Sequence, residues 1–411
     1  MAGFTDNTNA PQRRALVIGG SMSGLLAAIM LQRRGWTVDV FERVESELAG
    51  RGAGIVAQPE LIARLDALGL DTGHLGVLAR TRKLLDIDGR VALTLACPQI
   101  LTAWELVYRL LRDAFGTAHY HRGRGLKGFE QDGAGVTAHF ADGKTETGDV
   151  LIGADGLRST VRGQCMPATV PLYAGYCAWR ALLPESGMPA DIHRDLFESM
   201  TFCLPPGEQC LLYPVAGPND DLRPGHRRCN VVWYRPADET AELPWLLTDD
   251  SGMVHSISIP PPLIRREAIA AMRAAAQRLL PPQFRAIVTG IDEPILQPIY
   301  DLESPRLAFG RVAIVGDAAF VARPHVAAGV SKAADDAAAL AQALDSEDVA
   351  AALRRFEAGR LPVGKRIIER ARHLGAYLQA TQSAEERARS ARHSIPEAVL
   401  AETAVLDFLY A

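Results

Sequence analysis

The stretch Arg14-Ala-Leu-Val-Ile-Gly-Gly-Ser-Met-Ser-Gly-Leu-Leu-Ala-Ala-Ile-Met-Leu-Gln-Arg-Arg-Gly-Trp-Thr-Val-Asp-Val-Phe-Glu42 decides the fold. Residues 14–18 form a short apolar run ending in glycine, the pattern of a strand buried in a parallel sheet. Leu25, Leu26, Ala28, Ile29 and Leu31 recur at helical spacing, and Gly35 stops the helix. Residues 37–41 then read as a second strand, which completes a right-handed βαβ unit. Arg13-Arg14 precedes the uncharged run Ala15 to Leu31, as a twin-arginine signal or a membrane span would require. The break at Gly19, Gly20, Ser21, Ser23 and Gly24 instead reads as strand, turn and helix.

The loop Gly19-Gly-Ser-Met22-Ser-Gly24 is a G-x-S-x-x-G variant of the dinucleotide-binding turn. Such a turn brings backbone N–H groups at a helix N-terminus close to a pyrophosphate, and Ser21 is small enough to permit that approach. Glu42 lies 18 residues beyond Gly24, at the end of the second strand, where a carboxylate accepts hydrogen bonds from a ribose diol. A serine-hydrolase elbow fails here, because Met22 stands where the nucleophile is needed. A second match, Gly123-Arg-Gly125-Leu-Lys-Gly128, follows no buried strand and opens no helix, so it reads as a loop.

Helices are expected at 59–68, 104–115, 263–280 and 332–344, and solvated charged helical faces at 350–360 and 384–391. Hairpin turns fall at Asp88-Gly89, Asp132-Gly133 and Asp142-Gly143. The region 173–262 is rich in Pro and Gly with short β-like runs, which predicts an antiparallel sheet forming a substrate-facing unit. Two more apolar runs end in glycine and aspartate, at Gly153-Ala-Asp155-Gly156 and at Gly316-Asp317. Each puts a carboxylate at the C-terminal end of a strand, where ligands of open α/β sheets sit.

The 411 residues allow two or three structural units, and 48% hydrophobic content excludes disorder as the main state. With 44 Lys+Arg against 48 Asp+Glu and 6% aromatics, nucleic acid is not expected as a partner. The six cysteines form no CxxC pair and have no histidine at zinc-ligand spacing, so no metal site is expected. They fit reduced thiols, and the chain is expected to be cytoplasmic with no stable membrane association.

The three strand-end motifs, in this order and spread over nearly the whole chain, resemble class A flavoprotein aromatic hydroxylases, the para-hydroxybenzoate hydroxylase family. Gly52-Ala-Gly-Ile55 and Arg323-Pro-His-Val-Ala-Ala-Gly329 are most similar to its pyridine-hydroxylating members. The resemblance implies an α/β fold with a Rossmann-like FAD-binding domain of glutathione-reductase type, an antiparallel β-sheet substrate domain and C-terminal helices. It divides the chain into FAD-binding parts at 1–172, with substrate-side strands near 80–100, and at 301–375, a mostly antiparallel substrate domain at 173–300 and C-terminal helices at 376–411. It implies FAD, NAD(P)H as co-substrate, O2, and one oxygen atom passed from the flavin C4a position to a small electron-rich aromatic or N-heteroaromatic ring. A homodimer is compatible with it. Epoxidation, Baeyer–Villiger-type or decarboxylative oxygenation of a larger natural product uses the same cofactor chemistry, and fold analogy does not separate these; a flavin-binding protein without oxygenase turnover is a third reading.

The implied cofactor contacts are Gly19, Ser21, Met22, Gly24, Glu42 and Arg43 at the nucleotide, and Gly52, Ala53, Gly54 and Ile55 along the isoalloxazine. Asp155, Gly156, Gly316 and Asp317 serve the middle of FAD, and Pro324, Gly329, Val330 and Ser331 the flavin edge. Many relatives carry an FAD-contacting arginine where this chain has Trp104; Arg109, one turn on, is the candidate replacement. Ring hydroxylation is fastest on an anion, so a base or hydrogen-bond relay is expected. His325 is the first candidate and Tyr213 the second, with Arg323, Gln58 and Tyr234 as further pocket candidates. Lys332 reads as an ordinary helix-face lysine.

Overall fold

A computed structural model describes residues 13–48, 54–346 and 348–409, so Gly52 and Ala53 lie outside the described residues. The chain opens with β1 (Arg14–Ile18), α1 (Met22–Gln32) and β2 (Thr37–Phe41), the expected βαβ unit with its strands parallel. Next come β3 (Gly54–Ala57) and α2 (Pro59–Ala67), whose proline occupies the first helical position. A long hairpin, β4 (Val77–Leu85) and β5 (Val91–Ala103), leads into α3 (Trp104–Phe115). The short β6 (Tyr120–His121) precedes a meander of β7 (Leu126–Gln131), β8 (Val136–Phe140) and β9 (Thr145–Gly148). After β10 (Val150–Gly153) and α4 (Thr160–Cys165) follow β11 (Leu172–Pro184), α5 (Ala190–Leu196), β12 (Met200–Cys203), β13 (Gln209–Val215) and β14 (Arg228–Pro236).

Three helices follow: α6 (Glu242–Leu246), α7 (Arg266–Leu279) and α8 (Pro282–Thr289). The α7 start falls three residues later than the sequence pattern suggests, because Pro260, Pro261 and Pro262 hold the preceding backbone in extended and 3-10 geometry. The strands β15 (Ile295–Glu303), β16 (Ala308–Phe309), β17 (Val312–Ile314) and β18 (Phe320–Val321) lead to α9 (Gly329–Ala343) and the long α10 (Val349–Gly375). The chain then runs through α11 (Ala384–Ala391) and α12 (Pro396–Glu402). No helix among the described residues is long and apolar enough to cross a membrane.

The first sheet has the order β16-β17-β10-β1-β2-β6, parallel from β17 across to β6. Register aligns Ile18 with Gly153 and Gly153 with Ile314. The three motifs therefore emerge side by side at one C-terminal sheet edge, although they are far apart in sequence. Helices α1 and α9 pack together on this sheet, burying Leu25, Leu26 and Ala28 with Ala334, Ala337 and Leu340.

The second sheet has nine strands, β18-β15-β11-β14-β13-β12-β4-β5-β3. Most pairs are antiparallel as expected, but β12 pairs with β4 in parallel. Strands from well before and after 173–262 complete it, so the substrate-facing region shares its sheet with the rest of the chain. Alternation splits β13 between two jobs. Cys210 and Leu212 enter a core backed by α7 and α8, while Leu211, Tyr213 and Val215 enter the core on the opposite face.

Candidate active site

Three adjoining cavities run across the ends of the two sheets. The first, of about 300 Å3, is walled by Gly19, Ser21, Glu42, Arg43, Asp155 and Gly156. Gly19 adopts φ +107°, and a Cβ there would lie 2.3 Å from the Ala154 carbonyl oxygen. A Cβ on Gly24 would lie 1.9 Å from the Gly19 carbonyl oxygen, so only glycine lets α1 begin against β1. Met22, the first residue of α1, buries its side chain in the core, leaving its backbone for the loop.

Glu42 is buried and accepts from the N–H groups of Gly20 and Val44, both at 2.9 Å. Each carboxylate oxygen keeps a further lone pair for a ligand. Asp155 accepts from the Ser159 hydroxyl at 2.5 Å and the Thr160 N–H at 2.7 Å, which closes the first turn of α4. Burial pushes its carboxyl above the usual range against those hydrogen bonds. Gly156, at φ +73° with open space where a Cβ would stand, lets the chain turn along the cavity wall.

Sequence reasoning left several residues of this wall unassigned, among them Arg124, Gly125 and Leu126, and it singled out Trp104 only as the residue standing where relatives carry an arginine. Arg124, Gly125 and Leu126 belong to the glycine-rich string read as an unrelated loop. It is a loop only over its first half, since Leu126 to Gly128 open β7, and pairing of β2 with β6 brings it beside the end of β2. Arg109 needs correction, because it lines none of these cavities and pairs instead with Glu105 at 3.1 Å and Asp220 at 2.5 Å. Five residues turn a helix by about 500°, so Arg109 stands about 140° round α3 from Trp104 and cannot take its place.

The second cavity is a wider groove of about 800 Å3 that shares Arg43, Asp155, Gly156 and Arg158 with the first. Arg180 and Gln297 line both this groove and the third cavity, and Arg180 donates to Gln297 Oε1 at 2.8 Å.

The third cavity, of about 290 Å3, lies between the second sheet and the start of α9. Gly54, Ile55, Asp317, Pro324, Gly329 and Val330 form its floor side. Gly316, at φ +58°, is locked against Ser23 of α1, and it hands the chain to Asp317. Asp317 is exposed through the cavity it lines, and no described residue hydrogen-bonds its carboxylate. Burial pushes that carboxyl above its ordinary range, with the Lys332 charge opposing. Lys332 is not on a solvated helix face. It is buried, donating to the Gly316 carbonyl at 2.9 Å and to Asp336 at 3.1 Å. Helix α9 begins at Gly329, just ahead of its alanine-rich stretch, so the N–H groups of its first turn face this end of the cavity floor. Ser331 is buried there with its hydroxyl unpartnered.

The roof comes from cross-strand pairs of β13 and β14: Gln209 opposite Tyr234 and Leu211 opposite Val232. Tyr213 lines it one pair further on, and burial pushes its phenol up to about 12, against the Arg180 charge. His325 is buried beside Tyr234, with ring centroids 4.4 Å apart. Burial and the neighbouring Arg323 charge push its imidazole down to about 3, so it is neutral at physiological pH. Arg323 is a scaffold cation, paired with Asp301 at 2.8 Å and with Gln379 at 2.9 Å. Gln58 ties the C-terminal segment down through Ala404, which itself lines the cavity with Thr403.

The residues present fit a flavin dinucleotide: a glycine cradle and a carboxylate at one end, an open carboxylate in the middle, and a helix start under a ring-sized cavity at the other. The FAD binding domain-like family matches residues 173–301. The chain is 32% identical to the 2,6-dihydroxypyridine 3-monooxygenase of Paenarthrobacter nicotinovorans, over 89% of this chain and 91% of that one. It is 30% identical to the 3-amino-4-hydroxybenzoate 2-monooxygenase of Streptomyces cremeus, over 88% of this chain and 86% of that one. The solved structure of 2,6-dihydroxypyridine-3-hydroxylase from Arthrobacter nicotinovorans superposes with a TM-score of 0.85 at 31% identity, covering 90% of this chain and 94% of that chain. The chain therefore belongs to the flavoprotein aromatic hydroxylases, and it is an FAD-dependent monooxygenase.

Proposed function

We propose that this enzyme hydroxylates a small electron-rich ring, a hydroxypyridine or a phenol, with NAD(P)H as the source of electrons. The observation that carries this reading is the third cavity, where a roof from β13 and β14 that mixes apolar side chains with a few polar groups faces the flavin-side residues of the floor. The two relatives named above act on a dihydroxypyridine and an aminohydroxybenzoate, rings of the same size and electron richness.

When bound, FAD would supply the redox chemistry that moves electrons to O2 and one oxygen atom to the ring. The Gly19–Gly24 turn and Glu42 would hold its adenosine and pyrophosphate, Asp155 and Asp317 its middle, and the first turn of α9 the pyrimidine edge, where negative charge gathers on reduction. The protein's own task at the ring is to exclude water and stabilise the substrate as an oxyanion. His325 and Tyr213 take the catalytic places, but as hydrogen-bond donors. A neutral imidazole held near 3 is a poor proton acceptor at pH 7, and the phenol of Tyr213 keeps its proton there. With no second dinucleotide turn in the sequence, NAD(P)H binds without a Rossmann unit of its own. We further propose the division at 1–172, 173–300, 301–375 and 376–411, a cytoplasmic location and a homodimer.

The test is a panel of hydroxypyridines and phenols offered to FAD-loaded enzyme. Stimulated NAD(P)H oxidation with a product carrying one added oxygen atom is expected for at least one member. Bound FAD with no stimulation by any of them would overturn the reading.

A further inference from the structure

The end of the chain closes one side of the third cavity. Most of the lining comes from strands of the second sheet and from residues between Asp317 and Lys332, but Thr403 and Ala404 arrive from beyond α12. Both lie outside the described helices and strands, so hydrogen bonds to the backbone fix their place. Gln58 and Gln99 donate to the Ala404 carbonyl at 3.0 and 2.8 Å, and the Ala404 N–H donates to the His325 carbonyl at 2.7 Å. Arg82 donates through Nη1 to the Leu400 carbonyl and through Nη2 to Gln99 Oε1, both at 2.5 Å. Val399, Leu400 and Ala404 pack in the same core as Tyr213 and Tyr234.

Two features show that this wall is actively held. Arg82 is fully buried, yet no carboxylate among the described residues pairs with it. Burying such a cation is costly, and both of its bonded nitrogens serve the C-terminal segment, one directly and one through Gln99. Ala404 adopts φ +57°, a left-handed conformation that strains a residue with a Cβ. A strained backbone persists only where its surroundings over-determine it, and Ala404 is held by Gln58, Gln99 and His325 together.

We infer that Arg82, acting through Gln99, is a positioning residue that holds residues 400–404 closed against the third cavity and so keeps water out while oxygen is transferred. This rests on the hydroxylase reading above and adds what seals its ring site. In a sealed site one NAD(P)H, one proton and one O2 put an oxygen atom on the ring and release the other as water. Where water enters, the same NAD(P)H, proton and O2 end as NAD(P)+ and H2O2, and the ring is unchanged. The share of H2O2 therefore measures the seal.

The test compares FAD-loaded wild type with Arg82→Met and Gln99→Glu. Gln99→Glu keeps the shape of the side chain and its acceptor toward Arg82 but loses the donor toward Ala404, so a role in packing alone would survive it. Two quantities are read on each protein: amide hydrogen exchange across residues 396–409, and H2O2 formed per NAD(P)H consumed with 2,6-dihydroxypyridine, 2-hydroxypyridine, resorcinol and phenol. Exchange in that segment should rise about tenfold in both variants, against less than about twofold in α1 and α9. The H2O2 share should rise with it, by about three- to tenfold. FAD retention reports folding, and the half-buried, isosteric Gln99→Glu carries the test should Arg82→Met misfold. Wild-type exchange and a wild-type H2O2 share in the folded variants overturn the inference and leave the hydroxylase reading standing, as does faster exchange with no added H2O2. Failure of all four rings to stimulate NAD(P)H oxidation by wild type overturns the hydroxylase reading and the sealing role with it.

Discussion

Replacing Asp317 by Asn should move cofactor binding and protein stability in opposite directions. The carboxylate has no hydrogen-bond partner among the described residues and faces the cavity, so it spends nothing on holding the fold. A charge-assisted hydrogen bond to a ligand hydroxyl contributes about 1.5–3 kcal/mol, which predicts FAD binding weaker by about 10- to 150-fold in Asp317→Asn. In the cofactor-free protein the sign reverses. A carboxyl pushed above its ordinary range costs stability while ionised and returns it as pH falls through the raised value. The amide removes that cost. The side chain opens to the cavity, where water screens it, so the gain at pH 7 should stay below about 1 kcal/mol. Fluorescence titration of apoprotein with FAD gives the first quantity, and thermal unfolding of apoprotein between pH 5 and pH 8 gives the second. An Asp317→Asn protein that binds FAD within about twofold of wild type refutes the assigned role. One whose apoprotein is markedly less stable shows instead that the carboxylate props the fold.

Arg323→Met should be costly for the opposite reason. It strands Asp301 inside the protein, where the pair now meets at 2.8 Å with both side chains nearly inaccessible. Loss of a buried ion-pair partner costs about 3–5 kcal/mol, and the lower end is expected because Arg372 also reaches Asp301, at 3.4 Å. Urea unfolding measures it, and a loss below about 1 kcal/mol would contradict the pairing. Glu185 contributes to the acid limb of stability, together with Asp39 and Asp249, whose carboxyls are also held low. Burial raises its carboxyl, but hydrogen bonds from Arg227 and His193 outweigh that and bring it to about 2. Its contribution is full above about pH 4.5 and fades as pH falls toward 2, so Glu185→Gln should cost about 2 kcal/mol at pH 7 and flatten the decline below pH 4.5. An unchanged acid profile in that variant would show that another carboxylate governs it.

The motifs that form the cradle were legible because each is local: an apolar run, a glycine at its end and an acid beside it. Parallel pairing then had to place the three ends together, as the register of Ile18, Gly153 and Ile314 shows. The helix at 104–115 was equally plain, since apolar spacing and Gly116 mark its limits. What escaped depended on contacts between distant segments. Arg124, Gly125 and Leu126 reach the nucleotide end because β6 docks on β2, a pairing of two residues on each strand with no pattern of its own. Thr403 and Ala404 reach the ring end because Gln58 and Gln99 hold the Ala404 carbonyl from two other segments. Gln209 was within reach. Once Tyr213 is placed facing the cavity, the period of a strand puts residues 211 and 209 on the same side.

Saturated and unsaturated polar groups stand close together around the third cavity. Arg162 is buried and spends all three guanidinium nitrogens on the carbonyls of Thr169, Ala318 and Leu157. Arg323 does the same with Asp301 and Gln379. These cations stand immediately behind the cavity, so the surroundings can satisfy a buried charge completely. The unpaired carboxylate of Asp317, the amide of Gln209 and the imidazole of His325 belong to residues that line the cavity. Unpartnered buried atoms also occur away from it, at Trp36, Thr201 and Ser304, so it is the cavity lining and not the missing partner alone that marks these groups as ligand contacts. Binding a ligand completes their hydrogen bonds, so the free protein is less stable than it could be and the loaded one gains what the fold left open.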